Sequence, residues 1–239
     1  MCVEFHKDAE REEIAALFDQ LSIPFRWADA PTNRPRGAHF KPTNRATIIR
    51  PIDTDNPHAG LEGLEMRWWL IPPDHTGTIK ESQAEQIRVN FKVEYVDTTK
   101  ATRDAYLKRR CLVPITSFVE YDKPPGWTKG DPSRRWDISW PGRGIRFFAG
   151  VWNRSFPSDA PEGIDTFSFG TGTPGPDFSA PRDHGKGLHH RQARVFPPSD
   201  AMDWLRLDGP GKAMLQDPGG PGSFTFKMVS REAAEGAPS

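Results

Sequence analysis

Between Arg109 and Tyr121 lies the most apolar stretch with strand character in an otherwise polar chain. Leu112, Val113, Ile115, Phe118, Val119 and Tyr121 are β-branched, aliphatic or aromatic, and Pro-Pro-Gly at 124 to 126 closes the run with turn chemistry. This pattern predicts a core strand. Alternation puts Phe118 and Glu120 on one face and Val119 and Tyr121 on the other. Glu120 is then either the solvent-facing member of the pleat or a carboxylate among buried residues. In the second case it must find a partner, lose its charge or stand at the mouth of a pocket.

The pattern elsewhere alternates between helical and strand periods. Ile14, Leu17, Phe18 and Leu21 recur at helical spacing within residues 8 to 21, behind acidic residues suited to a helix N-terminus. Residues 46 to 51, 64 to 72, 89 to 95, 165 to 171 and 223 to 229 read as strands. Segments 134 to 140 and 145 to 153 read as a hairpin around Pro141-Gly142-Arg143-Gly144. Residues 98 to 110 predict a basic helix, and Ser199 is placed to cap a short one ending at Leu205. Residues 53 to 63, 74 to 88 and 172 to 192 read as loops, and 230 to 239 as a disordered tail. The strand at 89 to 95 places Asn90, Lys92 and Glu94 on one face. Adjacent Trp68 and Trp69 must point opposite ways, so one packs inward while the other offers a flat face, suited to core packing or to stacking on a base.

Composition narrows the class. The chain has 239 residues, enough for a substantial core, and residues 1 to 229 are expected to form one domain. Eight Trp and fifteen Phe beside 24 Pro and 21 Gly favour many short strands and turns over a helical bundle. Lys plus Arg equals Asp plus Glu at 32 each, so any anion-binding site must be local. No apolar run reaches transmembrane length, and charges from Glu4 onward exclude a secretory signal, so a cytoplasmic protein without membrane partners is expected. Two cysteines, Cys2 and Cys111, do not make a disulfide framework; Cys111 reads as a small buried hydrophobe.

Cys2 stands directly behind Met1, so removal of one residue would expose an α-amine and a thiol on the same residue. Such a 1,2-aminothiol condenses with an aldehyde to an imine and closes to a five-membered thiazolidine. An ordinary cysteine at a frayed terminus is the other reading. The loop at 172 to 192 gathers His184, His189 and His190 beside Asp183. A metal site there is disfavoured, because adjacent histidines rarely share one ion and no fourth spaced ligand stands out. His39 lies at a loop-to-strand junction, where surface placement is the default.

Met1-Cys2, Arg67-Trp68, Asn90-x-Lys92-x-Glu94, Arg110-Cys111-Leu112-Val113-Pro114 running to Phe118-Val119-Glu120-Tyr121, Phe148-Ala149-Gly150-Val151-Trp152, and His189-x-Arg191 before Pro197-Pro198 together resemble, in order, the SOS-response-associated peptidase family, the abasic-site shielding proteins. The resemblance runs from Cys2 to about Leu205. It implies an α+β fold, a single compact β-rich domain with a barrel-like mixed sheet flanked by helices. It further implies self-removal of Met1 and capture of abasic sites in single-stranded DNA through a thiazolidine on Cys2, with no cofactor or metal, by a monomer. Carried over by motif, Cys2 is the nucleophile, and Glu120 and His189 are the acid–base pair. His39, three residues before Pro42-Thr43, takes the place of the family's asparagine and is expected at the reacting centre with them, hydrogen-bonding the sugar. Arg67, Trp68, Asn90, Lys92, Thr171 and Arg191 fall where the family lines its DNA groove.

Three departures bear on that reading. Glu4 stands where the family usually has arginine, turning a phosphate contact into a repulsive one. His39 replaces the asparagine, and Lys92 stands where arginine is common, which keeps charge but loses bidentate geometry. Two other functions remain open: a cysteine-type, N-terminal-nucleophile peptidase acting in trans, and a non-catalytic single-strand binding module in which Cys2 is incidental.

Overall fold

The computed structural model describes residues 2 to 30, 37 to 183 and 185 to 229; Met1, His184 and the 230 to 239 segment expected to be disordered lie outside them. The strands in chain order are β1 (Glu4–Lys7), β2 (Phe25–Trp27), β3 (Ala38–Phe40), β4 (Arg45–Pro51), β5 (Leu61–Trp68), β6 (Asn90–Lys92), β7 (Arg110–Ile115), β8 (Ser117–Asp122), β9 (Arg134–Ser139), β10 (Arg146–Ser155), β11 (Ile164–Gly172), β12 (Gln192–Ala193), β13 (Val195–Phe196) and β14 (Thr225–Val229). The helices are α1 (Arg11–Gln20), α2 (Ile79–Glu85), α3 (Lys100–Lys108), α4 (Pro176–Ser179), α5 (Ala201–Leu205) and α6 (Gly211–Gln216).

β4, β5, β7, β10 and β11 close into a barrel, because β11 also runs parallel to β5 through Thr166 opposite Arg67 and Phe167 opposite Trp68. A second, antiparallel sheet has the order β14-β9-β8-β1-β3. The apolar run at 109 to 121 is therefore two strands, β7 in the barrel and β8 in the second sheet. Thr116 marks the change of sheet: its N–H donates to the His6 carbonyl at 2.9 Å and its hydroxyl accepts the Asp8 N–H at 2.9 Å. All six residues of β7 are buried, so it reads as continuous hydrophobic sequence and runs without a visible break into β8.

One face of the barrel strands, with Val113, Phe148, Phe169 and Trp68, packs with Phe5, Phe118 and Ile138 of the second sheet. The other face, with Ile49, Leu112, Phe147 and Val151, lies beneath Phe18 of α1, Ala105 and Tyr106 of α3, Trp204 of α5 and Leu215 of α6. Arg110, the last residue of the expected basic helix, instead opens β7, from which its guanidinium donates to the carbonyls of Tyr106, Trp204 and Arg206 at 2.9, 3.3 and 2.9 Å.

Several local expectations change. β9 and β10 do not form a hairpin, since β9 pairs with β8 and β14 while β10 pairs with β7, β11 and β13. The turn between them, tied by Trp140 Nε1 donating to the Gly144 carbonyl at 2.7 Å, carries the chain from one sheet to the other. The 74 to 88 segment contains α2, capped reciprocally by Thr78 and Glu81, a Thr-x-x-Glu signature visible in the sequence. Ser199 does not cap α5; it lies in a 3-10 turn that leads into it, and its hydroxyl donates to Asp200.

Candidate functional site

β1 lies beside β8 with Glu4 opposite Val119 and Phe5 opposite Phe118. That pairing carries the chain start to the end of β8, where Cys2 is fully enclosed. Its carbonyl accepts the Asn90 side-chain amide at 2.9 Å, and its thiol donates to the Glu4 carbonyl at 3.5 Å. Phe5 anchors the segment by stacking on Phe40 at 5.0 Å and meeting Trp68 at 5.0 Å. Residue 2 is thus held in place by both neighbouring elements, unlike a frayed terminus.

Glu120 follows Phe118 inward and is 1% exposed, while Tyr121 turns outward at 37%. The solvent-facing reading of Glu120 is therefore corrected: the face shared with Phe118 is the core face. Burial pushes its carboxyl up to about 7. Burial, reinforced by the Glu120 charge, also pushes the Cys2 thiol well above the usual cysteine range. At neutral pH the sulfur is a thiol and Glu120 sits near the midpoint of its titration.

His189 stands on a groove shared with Tyr121 and Asp122, the two residues that follow Glu120. Its Nδ1 lies 3.0 Å from both the backbone N–H and the carbonyl of Arg191, so residue 191 fixes the ring through Nδ1 and leaves Nε2 toward the groove side of the ring. Burial pushes its pKa down to about 4, so the ring is a neutral imidazole at pH 7 rather than an imidazolium acid.

A neighbouring groove of about 610 Å³ is lined by Asn90, Lys92, Tyr95, Thr171, His190 and Arg191 among others. Asn90 faces it from β6 with Oδ1 buried and without a partner among the described residues, while Lys92 is exposed. Thr171 donates to the Phe91 carbonyl at 3.3 Å. Arg191 is held bidentately by Glu94 at 2.7 and 2.8 Å and also donates to the Thr171 carbonyl, so its charge is already countered within the protein.

The structure separates other expected site residues from this group. Trp68 is the inward ring of the Trp pair, fully buried with Nε1 donating to the Val89 carbonyl at 2.7 Å, so it offers no face to a base. Trp69 is the ring left half-buried. Arg67, on the opposite face of β5 from Trp68, lines neither groove; burial and the nearby Arg45 lower its pKa. His39 joins a cluster on the outer face of the second sheet, donating from Nδ1 to Glu4 at 3.2 Å and stacking on His6 at 3.9 Å between centroids. It is not brought to His189.

Glu4 is the centre of that outer cluster. It is buried, accepts Arg135 at 2.7 Å and the Tyr121 hydroxyl at 3.1 Å, and so presents no free charge to a phosphate. Burial alone would raise its pKa, but hydrogen bonds from His6 and Arg135 prevail and hold it far below the usual carboxylate range. Glu4, His6 and His39 have the donor types of a metal triad. However, Arg135 Nη2, 2.7 Å from Glu4 Oε1 and 3.2 Å from His6 Nε2, already fills the position of a cation. Asp183, from the other candidate metal group, is engaged by Arg134 at 2.5 and 2.9 Å. Sequence reasoning did not find Arg135 or Tyr121, because their pairing with Glu4 depends on register across three strands.

Fold and site together define an α+β protein in which a closed five-stranded barrel and a second sheet enclose a cysteine beside a buried carboxylate. The chain belongs to the SOS response associated peptidase (SRAP) family, which matches residues 1–233. A crystal structure of a Bordetella bronchiseptica protein is similar with a TM-score of 0.70 at 21% identity, covering 96% of this chain and 100% of that one. A Bacteroides thetaiotaomicron protein gives 0.71 at 18%, covering 99% and 95%. A phage-related protein from Bordetella bronchiseptica gives 0.62 at 16%, covering 96% and 95%. At these identities the likeness speaks for the fold alone. No curated protein matches the chain. Among the described residues, no helix is long and apolar enough to cross a membrane.

Proposed function

We propose that this chain captures abasic sites in single-stranded DNA covalently through Cys2, after hydrolysis of the Met1–Cys2 peptide bond frees the α-amine. The observation that carries the reading is the enclosure of Cys2 against a buried Glu120 carboxyl whose pKa of about 7 suits proton transfer at neutral pH. The amine adds to the aldehyde of the ring-opened deoxyribose, and the carbinolamine loses water to give an imine. The Cys2 sulfur then adds to the imine carbon as its proton passes to nitrogen, closing the thiazolidine with one water released overall.

Glu120 takes the proton from the ammonium before attack and returns one to the departing oxygen. His189, a neutral imidazole held through Nδ1 by Arg191, hydrogen-bonds the sugar through Nε2. Asn90 fixes Cys2 through its carbonyl. Lys92 supplies a phosphate contact in the adjoining groove.

The test is denaturing gel and intact-mass analysis of the purified protein with single-stranded DNA bearing one abasic site, beside undamaged DNA and Cys2→Ala. The expected product resists denaturation, requires both the lesion and Cys2, and has the mass of protein lacking Met1 plus DNA less one water. A chain that has lost Met1 yet forms no adduct overturns the reading. Turnover of amide substrates without DNA would assign the site to a peptidase acting in trans.

A further inference from the structure

β8 leads out of the Cys2 site into a long connection, residues 123 to 133, that folds back on itself. Trp127 Nε1 donates to the Asp131 carbonyl at 2.8 Å, and the Asp131 carboxylate accepts the Thr128 N–H and hydroxyl at 2.7 and 2.8 Å. These bonds hold the Trp127 ring half-exposed, with Lys123 Nζ 3.8 Å from the ring centroid. Facing it are Lys186, His189 and His190, and the groove between has a volume of about 1010 Å³. Asp122 is the one carboxylate among its described lining residues, and Arg134 holds it at 2.6 and 2.9 Å. The groove is therefore lined by two lysines and a half-exposed indole with Lys123 over its ring, and its one described carboxylate is paired within the protein. His190 also lines the groove that contains Asn90 and Lys92, so the two meet at the 189 to 190 corner.

We propose that the 123 to 133 connection is a nucleic-acid-binding arm. A single strand leaving the Cys2 site turns past His190 and lays a base on Trp127, while Lys123 and Lys186 meet its phosphates. The occupant follows from the chemistry: stacking on one indole suits any base, and two lysines along one groove suit a phosphate chain. The inference rests on the reading of Cys2 as the abasic-site residue only for what lies at the centre of the path. The arm itself needs no lesion.

Fluorescence anisotropy with a labelled, undamaged single-stranded oligonucleotide, titrated over a range of salt, tests it with the full chain and surface-loop variants. Trp127→Ala should weaken binding about tenfold, from stacking worth ~1–3 kcal/mol per base at ~1.4 kcal/mol per decade. Trp127→Phe should recover most of that loss, and unfolding temperatures should match the parent. Lys123→Gln and Lys186→Gln should each lower the slope of log affinity against log salt by about 0.7, the value for one phosphate on a single strand. Unchanged affinity in Trp127→Ala with unchanged slopes in both lysine variants overturns the arm. So does an acidic peptide that competes for the parent but not for Trp127→Ala while DNA affinity stays constant. Because the probe carries no lesion, failure of covalent capture leaves this measurement standing. Normal adduct formation in Trp127→Ala, with unaltered affinity, removes the arm and leaves capture intact.

Discussion

Replacing Glu120 by Gln keeps the shape of the side chain and removes its charge, which makes the cost of burying that charge measurable. The folded-state pKa is about 7 against an ordinary 4.5, raised by burial. Below pH 4.5 the carboxyl is protonated in both states and contributes no pH dependence. Between 4.5 and about 7 the unfolded chain ionises while the folded one keeps its proton, so stability falls by ~1.4 kcal/mol per pH unit. Above 7 both states are ionised and the loss levels off at about 3 kcal/mol. For a chain of this size ~1 kcal/mol corresponds to roughly 2–4 °C, so the window spans on the order of 10 °C. Thermal unfolding of parent and Glu120→Gln should be followed in parallel from pH 4 to 8.5. Any loss of hydrogen bonding by the amide offsets the two curves by a constant. The pH-dependent gap should open in favour of Gln between 4.5 and 7 and then stay flat, and intact-mass analysis should show slower Met1 removal in the variant. A gap that is constant across the range, or that opens in favour of the parent, would refute a buried carboxyl of raised pKa.

Arg135→Leu leaves the buried Glu4 without its strongest partner and should cost roughly 3 kcal/mol at pH 7, read by chemical denaturation. Because the folded pKa of Glu4 is depressed, that stabilisation is complete above the unfolded pKa and is lost progressively as pH falls from there toward the folded pKa, so the cost should be smaller at pH 3 than at pH 7; an equal cost at both would contradict the ion pair. Lys92→Ala should weaken single-strand binding and lower its salt slope by about 0.7, whereas Glu94→Ala, which releases Arg191, should strengthen binding; identical slopes in the parent and Lys92→Ala remove that residue from the groove. Asn90→Ala should slow adduct formation severalfold while changing stability by about 1 kcal/mol or less, and unchanged kinetics would show that the bond to the Cys2 carbonyl does not position the nucleophile.

Periodicity in this chain shows which residues share a face but not which face points inward. The alternation of Phe118 with Glu120 against Val119 with Tyr121 is plain in the sequence, and an isolated strand would turn the carboxylate to water. β8 reverses that preference because Glu4 and Arg135 from the adjoining strands occupy the outer face with Tyr121, while Phe5 and Ile138 meet Phe118 on the inner one. The Trp68 and Trp69 pair has the same form: opposite orientations are required, but only closure of β5 onto β11 decides that Trp68 is inside. α1 and α3 are legible because each packs on one side only. The change of sheet at Thr116 is not, since burial on both sides of β7 erases the periodic signal that would mark the break.

The ordered motifs carry the family because they are short and local, whereas His39 and Glu4 lie 35 residues apart and pair only through the β1–β3 register. That pairing changes the chemistry expected of both. A carboxylate expected to repel phosphate becomes the neutralised anchor of β1, and a histidine expected at the reacting centre becomes one of its ligands. Burial acts on the central residues in one direction: it disfavours charge, raising the Cys2 thiol and Glu120 and lowering His189. A thiol kept protonated is a poor first nucleophile, while a carboxylate poised near neutrality can deprotonate an adjacent ammonium. In the proposed capture the order of bond formation follows from this, with nitrogen attacking first and sulfur closing the ring.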